Sequence, residues 1–330
     1  MDGLDCKIFF HDKCFDGACS ASLFTRFHRE CVKTVDTFSY QGLVHKAGGL
    51  FEEEDFGPGE NAIVDFKYSN SPRVTWWFDH HLSAFASAED FAEFERGQVV
   101  RAASPKMFYD ASYTSCTGLI MDVAEQKFGF STKGLEELRY WADIVDGAKY
   151  ESAASAVEMG APAMKLTLVI ESASDHALVP KMIPLLTEMS LQEVLDQGFV
   201  KELVEPLMER HLAALELIRE RIEVSAGVIT FDITDQPTEG YSKFIPYYLH
   251  PEGTYVVGLS KSSFRVKISV GTNPWTTRPV EDLVNLAEIC ERYGGGGHAR
   301  VGAISFPRDE EAAARRAVGE IVAELRAAEV

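Results

Sequence analysis

No two of the six cysteines in this 330-residue chain stand at C-x-x-C spacing; they fall at positions 6, 14, 19, 31, 116 and 290. That argues against a zinc ribbon or a dithiol redox site, and a chain this long needs no disulfide staples, so a reducing cytoplasm is the expected compartment. The start, Met1 to Asp5, has neither the basic stretch nor the apolar run of an export signal, and no uninterrupted apolar run approaches the roughly 18 residues of a membrane span. Positive charge is scarce: 32 Lys+Arg stand against 51 Asp+Glu, a formal net charge of −19. Long polyphosphate backbones are held by many Lys and Arg contacts, so binding of long duplex DNA is not expected. Small anions remain accessible, because a few metal ions or backbone N–H groups override the net field locally.

What the chain does have is apolar substance, 46% of its residues, and a length that leads us to expect two domains. Three β-prone runs end on potential metal donors. Val74 to Phe78 alternates with Trp77 filling the other face, which suits a strand buried on both sides, and stops on Asp79, His80 and His81. Cys6 to Phe10 stops on His11 and Asp12, followed by Cys14, Asp16 and Gly17, and then by a helical pattern through Ala18, Ala21, Leu23, Phe24 and Phe27. Ala62 to Val64 stops on Asp65. The C-terminal ends of parallel strands are where open α/β sheets bind ligands, and His, Asp and Cys are all metal donors. Each ending has a blander reading: Asp16 as a helix cap, Asp65 as a turn residue, His80-His81 as a surface turn. Three in succession point to a shared centre.

Residues 82–110 read as an acidic, aromatic-rich connection. Ser112, Thr114, Ser115 and Thr117 precede a helix that buries Leu119, Ile120 and Val123 and closes at Gly129; such hydroxyls cap helices, and at a helix N-terminus they also suit a phosphate oxygen. A helix from Leu135 to Ala142 delivers Asp143 and Asp146, of which Asp143 is favoured as a further metal ligand. Residues 151–200 read as helical, and Lys201–Val224 as one connecting helix with Pro206 at an early turn or kink. From Gly227 onward, strands at 228–231, 255–259, 263–270 and 301–306 alternate with helices at 279–293 and 309–329. Gly294 to Gly297 interrupt this pattern. Four glycines in a row are entropically costly; a helix C-cap explains one or two, and the remainder, followed by His298 and Arg300, suggest a backbone cradle for an anion.

In their order, His11-x-x-Cys14-x-Asp16-Gly17, Asp65, Asp79-His80-His81, Asp143 and Gly294–Gly297-His298 resemble the DHH family of phosphoesterases with a C-terminal DHHA1 domain, over most of the chain. The resemblance implies an α/β fold: a DHH domain with a parallel sheet (1–200), a linker helix (201–224), a smaller α/β DHHA1 domain (225–330) and an active site in the cleft between. It implies two Mn²⁺ ions about 3.5–4 Å apart, as in two-metal phosphoesterases. Asp65 would bridge them, Asp16, His80 and Asp143 would hold one and His11 the other, with His81 facing the scissile phosphate and Asp79 supporting the histidines. Gly295, Gly296, Gly297, His298 and Arg300 would hold the substrate's terminal phosphate and nucleoside. Most members carry an acid where this chain has Cys14; a branch resembling the second type of nanoRNase shares the cysteine. That leaves Cys14 and Asp12 as alternatives at the first ion. The implied activity is hydrolysis of short oligonucleotides and linear dinucleotides to 5′-mononucleotides. The alternatives are a cyclic-dinucleotide phosphodiesterase and a catalytically silent nucleotide sensor, and a homodimer stays open.

Overall fold

The computed structural model describes residues 5–44, 51–100, 106–236, 238 and 240–329. The chain divides into two compact units, one drawn from the chain up to Tyr150 together with Gly160–Glu205, the other from Glu151–Met159 together with the chain from Pro206 onward.

The first unit is built on a five-stranded sheet in the order β2-β1-β3-β4-β5, from β1 (Asp5–His11), β2 (Thr37–Leu43), β3 (Glu60–Val64), β4 (Trp76–Asp79) and β5 (Met107–Tyr109). All four pairings are parallel. The strand order reverses between β1 and β3, so the crevice at their C-terminal ends is a topological switch point. Helix α1 (Phe15–Phe27) follows β1 and runs on into a π-turn at His28–Val32; α2 (Ala88–Val100) precedes β5; α3 (Cys116–Phe128) and α4 (Glu136–Asp146) follow it. Residues 82–110, which carry no clear pattern in the sequence, thus hold a helix and the fifth strand.

The β4 run is buried on both faces, as its apolar continuity implies. Trp76 and Phe78 pack edge-on against Phe24 of α1, while Trp77 packs against Tyr68, Phe85 and Phe94 on the opposite face. Each indole N–H has a partner: Trp77 donates to the Phe66 carbonyl at 2.9 Å and Trp76 to Glu60 at 2.7 Å. Large aromatic payloads with satisfied polar ends make this strand rigid.

Helices α5 (Ala153–Val157), α6 (Pro162–Glu171), α7 (Leu178–Met182) and α8 (Leu191–Leu195) bear out the helical reading of 151–200. Of these, α5 belongs to the second unit. Helix α9 (Gly198–Arg221) begins earlier and ends sooner than the expected 201–224; Pro206 lies inside it, and residues 223–225 pair as a strand instead. The second unit carries a six-stranded sheet, β10-β11-β9-β8-β7-β6, from β6 (Glu223–Ser225), β7 (Val228–Asp232), β8 (Tyr255–Lys261), β9 (Arg265–Thr272), β10 (Gly296–His298) and β11 (Val301–Pro307). Only the β7–β8 pairing is parallel. A short helix α10 (Ile245–Leu249) packs on α5, and α11 (Leu286–Arg292) and α12 (Glu311–Ala327) cover one face of the sheet around Val257, Ile268, Ile304 and Ile321. Helix α11 is shorter than the expected 279–293. Among the described residues, no helix is long and apolar enough to cross a membrane.

Candidate metal centre

Parallel register brings the three strand endings together. Phe10 pairs with Val64 and Val64 with Phe78, so His11, Asp65 and Asp79 stand in one row across neighbouring strands that run about 4.8 Å apart. Asp65 leaves its strand with φ at +56°, its N–H bonded to the Phe78 carbonyl at 2.9 Å. A left-handed, non-glycine residue is uncommon and costs on the order of 1 kcal/mol or more, a cost that tends to persist at functional sites. The turn after β1 leaves no room for a side chain at Gly17, where a Cβ would sit 2.2 Å from the His11 carbonyl oxygen.

Three groups of donor atoms result, each with its atoms within 4.8 Å of one another: His11, Cys14 and Asp65; Asp16, His80 and Asp146; and Asp65, Asp79, His80 and His81. His80 Nε2 lies 3.5 Å from Asp65, 3.9 Å from Asp16 and 3.4 Å from Asp146. His11 Nδ1 lies 3.6 Å from the other Asp65 oxygen. Both Asp65 oxygens, His80 Nε2 and one Asp79 oxygen are buried without a hydrogen-bond partner among the described residues. Buried polar atoms are nearly always satisfied, so several aimed at one point call for a ligand.

The surrounding bonds fix how the donors face. The backbone N–H groups of Cys116 and Thr117, at the start of α3, donate to the two Asp16 oxygens at 2.7 and 3.1 Å. His80 donates from Nδ1 to the Tyr113 carbonyl at 3.1 Å, which turns Nε2 toward the carboxylates. Asp79 accepts from the N–H groups of His80 and His81 at 2.8 and 3.2 Å and from His81 Nδ1 at 2.7 Å. Supporting bonds of this kind set tautomer and orientation in metal sites.

Electrostatics say what is missing from a purely proteinaceous cluster. Burial, reinforced by Asp65 and Asp146, pushes the Asp16 carboxyl well up; burial and then Asp65 push Asp146 up to about 6. Burial would lower His80, yet its close approach to Asp65 and the charges of Asp16, Asp65 and Asp146 carry it up to about 10. Burial alone would raise Asp65, but His11, His80 and His81 hold it far below the usual carboxylate range. Burial, then Asp65, Asp16 and Asp146, push the Cys14 thiol well up. Asp65 is thus kept ionised by the three histidines, while Asp16, Asp146, His80 and Cys14 are each pushed toward the protonated form, partly by the negative charges around them. A small divalent cation would compensate that charge without protons, and an Asp-rich donor set with imidazoles suits Mn²⁺ or Mg²⁺.

The structure therefore brings together His11, Cys14, Asp16, Asp65, Asp79, His80 and His81. It does not bring Asp143 to them: Asp143 accepts from Ser115 Oγ at 2.5 Å and lies 4.0 Å from Arg139, while Asp146 takes the place next to His80. Helix phase is the reason, and it was available in the sequence: Asp146 lies four and eight residues after the buried Ala142 and Leu138, on the inward stripe, whereas Asp143 is rotated about 100° from Ala142. Asp12 is also outside the three groups; it lies against Gly42 of β2, 3.9 Å from His176. Ser115 caps α3 by accepting from the Gly118 N–H, and the N–H groups of Cys116 and Thr117 go to Asp16, so that helix start receives a carboxylate of this chain. In the second unit, Gly294 turns left-handed after α11, and a Cβ at Gly295 or Gly297 would lie 2.4 or 2.3 Å from a β11 carbonyl oxygen. Packing thus accounts for two of the four glycines and the left-handed backbone for a third. Gly296 and His298 are exposed on β10, and Arg300 donates to the Asn273 carbonyl at 3.0 Å.

A carboxylate–imidazole cluster at the ends of parallel strands, in a chain with a second β-sheet unit, makes a candidate divalent-cation centre on an α/β fold. No protein-family model and no curated protein sequence matches the chain. Among solved structures, the pGpG-specific phosphodiesterase PggH from Vibrio cholerae is similar with a TM-score of 0.67 and 18% identity, over 97% of this chain and 99% of that one. A DHH-domain member of the S1p family of ribosomal proteins follows at 0.53 and 14%, over 98% and 88%. RecJ from Thermus thermophilus, in complex with Mn²⁺, is similar at 0.52 and 13%, over 98% of this chain and 52% of RecJ. The fold is the one these three proteins share.

Proposed function

We propose that the protein is a divalent-cation-dependent phosphodiesterase that cleaves linear dinucleotides and other very short oligonucleotides to 5′-mononucleotides. The observation that carries this reading is the convergence of Asp16, Asp65, His80 and Asp146, with His11 and Cys14 beside them, around buried oxygen and nitrogen atoms that no described protein group satisfies. Asp16, His80 and Asp146 would hold one cation, His11 and Cys14 a second, with Asp65 facing both. Bound there, the cations would act as Lewis acids on the phosphoryl oxygens and lower the pKa of water.

The chain's own groups do the rest. Asp79 holds His81 through Nδ1 and, as an anion beside it, favours the imidazolium, whose Nε2–H would donate to a phosphate oxygen. The backbone of Asp65 is held by its bond to Phe78, which fixes where its buried carboxylate leaves the chain. The acidic surface, net −19, favours short substrates, because each added phosphate is repelled. PggH, a phosphodiesterase specific for pGpG, matches 97% of this chain; the RecJ complex holds Mn²⁺. We assign the exposed Gly296, His298 and Arg300 to the substrate's far end.

The test is chromatography of products after incubation with Mn²⁺ and, separately, linear dinucleotides, cyclic dinucleotides, longer oligomers and pyrophosphate. Mononucleotides from linear dinucleotides in preference to the rest support the reading. Turnover of cyclic substrates alone would replace it, and no turnover of any would leave a nucleotide sensor.

A further inference from the structure

Two of the proposed ligands, Asp16 on α1 and His80 beyond β4, receive their supporting bonds from one short segment, Tyr113–Thr117. The Tyr113 carbonyl takes the His80 Nδ1 proton, and the N–H groups of Cys116 and Thr117 grip Asp16. Those supporting groups are all backbone atoms, so what holds the segment in place also holds both ligands. Its side chains are tied to two helices. The Tyr113 hydroxyl donates to Asp122 on α3 at 3.0 Å, and Arg139 on α4 clasps Asp122 with both terminal nitrogens, one of them at 3.0 Å. Ser115 donates to Asp143 on α4 at 2.5 Å, with Arg139 Nε 4.0 Å from that carboxylate, and Lys149 donates to Thr114 at 2.8 Å. A bidentate Arg–carboxylate pair is geometrically specific in a way that a lysine pair is not.

We propose that Tyr113, Asp122, Arg139 and Asp143 are positioning residues that set the affinity of the cation centre by fixing the 113–117 segment. Asp143, on this account, acts on the centre through Ser115 and the start of α3. The inference rests on the reading of Asp16 and His80 as cation ligands. It is consistent with general experience that the partners of metal ligands tune affinity by about 10–100-fold.

The experiment is titration of the whole protein with Mn²⁺, without substrate, following the electron paramagnetic resonance signal of free Mn²⁺. It is applied to the wild type, Arg139→Ala, Arg139→Lys, Tyr113→Phe, Asp143→Asn and, as control, His80→Ala. The expected result is a Kd raised about 10–100-fold for Arg139→Ala and Asp143→Asn, and less for Tyr113→Phe, which removes only one hydroxyl. Arg139→Lys should fall short of restoring the wild-type value. At saturating Mn²⁺ the kcat of Tyr113→Phe and Arg139→Ala should return to near the wild-type value, whereas a merely structural role would lower Tm in chelator and leave a deficit that metal does not repair. Wild-type Kd in Arg139→Ala and Tyr113→Phe, with binding lost in His80→Ala, overturns the inference and spares the centre. No Mn²⁺ binding by the wild type overturns both.

Discussion

Asp65 is held by opposing demands: its backbone takes a left-handed conformation, its carboxylate is buried, and neither oxygen has a hydrogen-bond partner among the described residues. Asn tolerates that backbone and fills the same space, but it brings no charge. Asp65→Asn should therefore leave the far-ultraviolet circular dichroism spectrum unchanged and lower Mn²⁺-dependent hydrolysis by about 10²–10³-fold or more. Retention of more than a few percent of the rate would end the assignment of Asp65 to both cations. Cys14 is the residue at which this chain departs from most of the family it resembles, and its sulfur falls within the group formed with His11 and Asp65. Carboxylate suits Mn²⁺ better than thiolate, so Cys14→Asp should preserve or raise the rate at limiting Mn²⁺. Loss of Mn²⁺ binding in that variant, read by calorimetry, would show that the position serves something else.

The site-bearing strands are anchored at their opposite ends, and β3 shows how. Glu60, at its first position, accepts from Trp76 at 2.7 Å, from buried His28 at 3.4 Å and from Thr34. Burial alone would raise its carboxyl; the bonds from His28, Thr34 and Trp76 bring it down to about 2. A folded-state pKa below the unfolded value means a stabilising contribution that is complete above about pH 4.5 and disappears as pH falls through about 2. Glu60→Gln should therefore cost about 1–3 kcal/mol at pH 7, the scale of hydrogen bonds to a charged acceptor. In urea melts from pH 7 to 2.5 the gap between variant and wild type should hold down to about pH 5 and then close. A gap independent of pH would mean that shape rather than charge anchors the strand. Helix α4 makes the complementary point, since about 60° around its axis separates Asp146, at the centre, from Asp143, bound to Ser115.

For the molecule as a whole, the proposal gives the second unit the far end of the substrate, and His298 is where that can be tested. It lies exposed on β10, two residues after Gly296, the one glycine of the four that neither packing nor a left-handed backbone explains. If the second unit takes the far end of a dinucleotide, His298→Ala should lower kcat/KM on the dinucleotide by about 1–3 kcal/mol, the scale of a lost charge-assisted hydrogen bond. An activated small phosphodiester has no far end and should be affected much less. Equal losses on both substrates would mean that His298 serves the cation centre or the fold.

Apolar runs stopping on His and Asp were enough, by sequence alone, to indicate parallel strands whose ends gather metal donors, because strand burial and donor chemistry are both local properties of a few consecutive residues. Most of the candidate donors, from His11 through His81, were legible for that reason. The fifth strand in 107–109 was not, since three residues leave no periodicity to read. Neither was the choice of Asp146, which depends on the face α4 buries, although the stripe through Leu138 and Ala142 carried the signal. Only the tertiary structure revealed that Asp16 is gripped by the start of α3, a hundred residues away, and that His80 is turned by the Tyr113 carbonyl. Those bonds come from backbone groups, and every residue except proline has the same N–H and C=O. Side-chain identity announces which atoms can bind a cation, and the packing of helices against the sheet decides which backbone groups hold them in place.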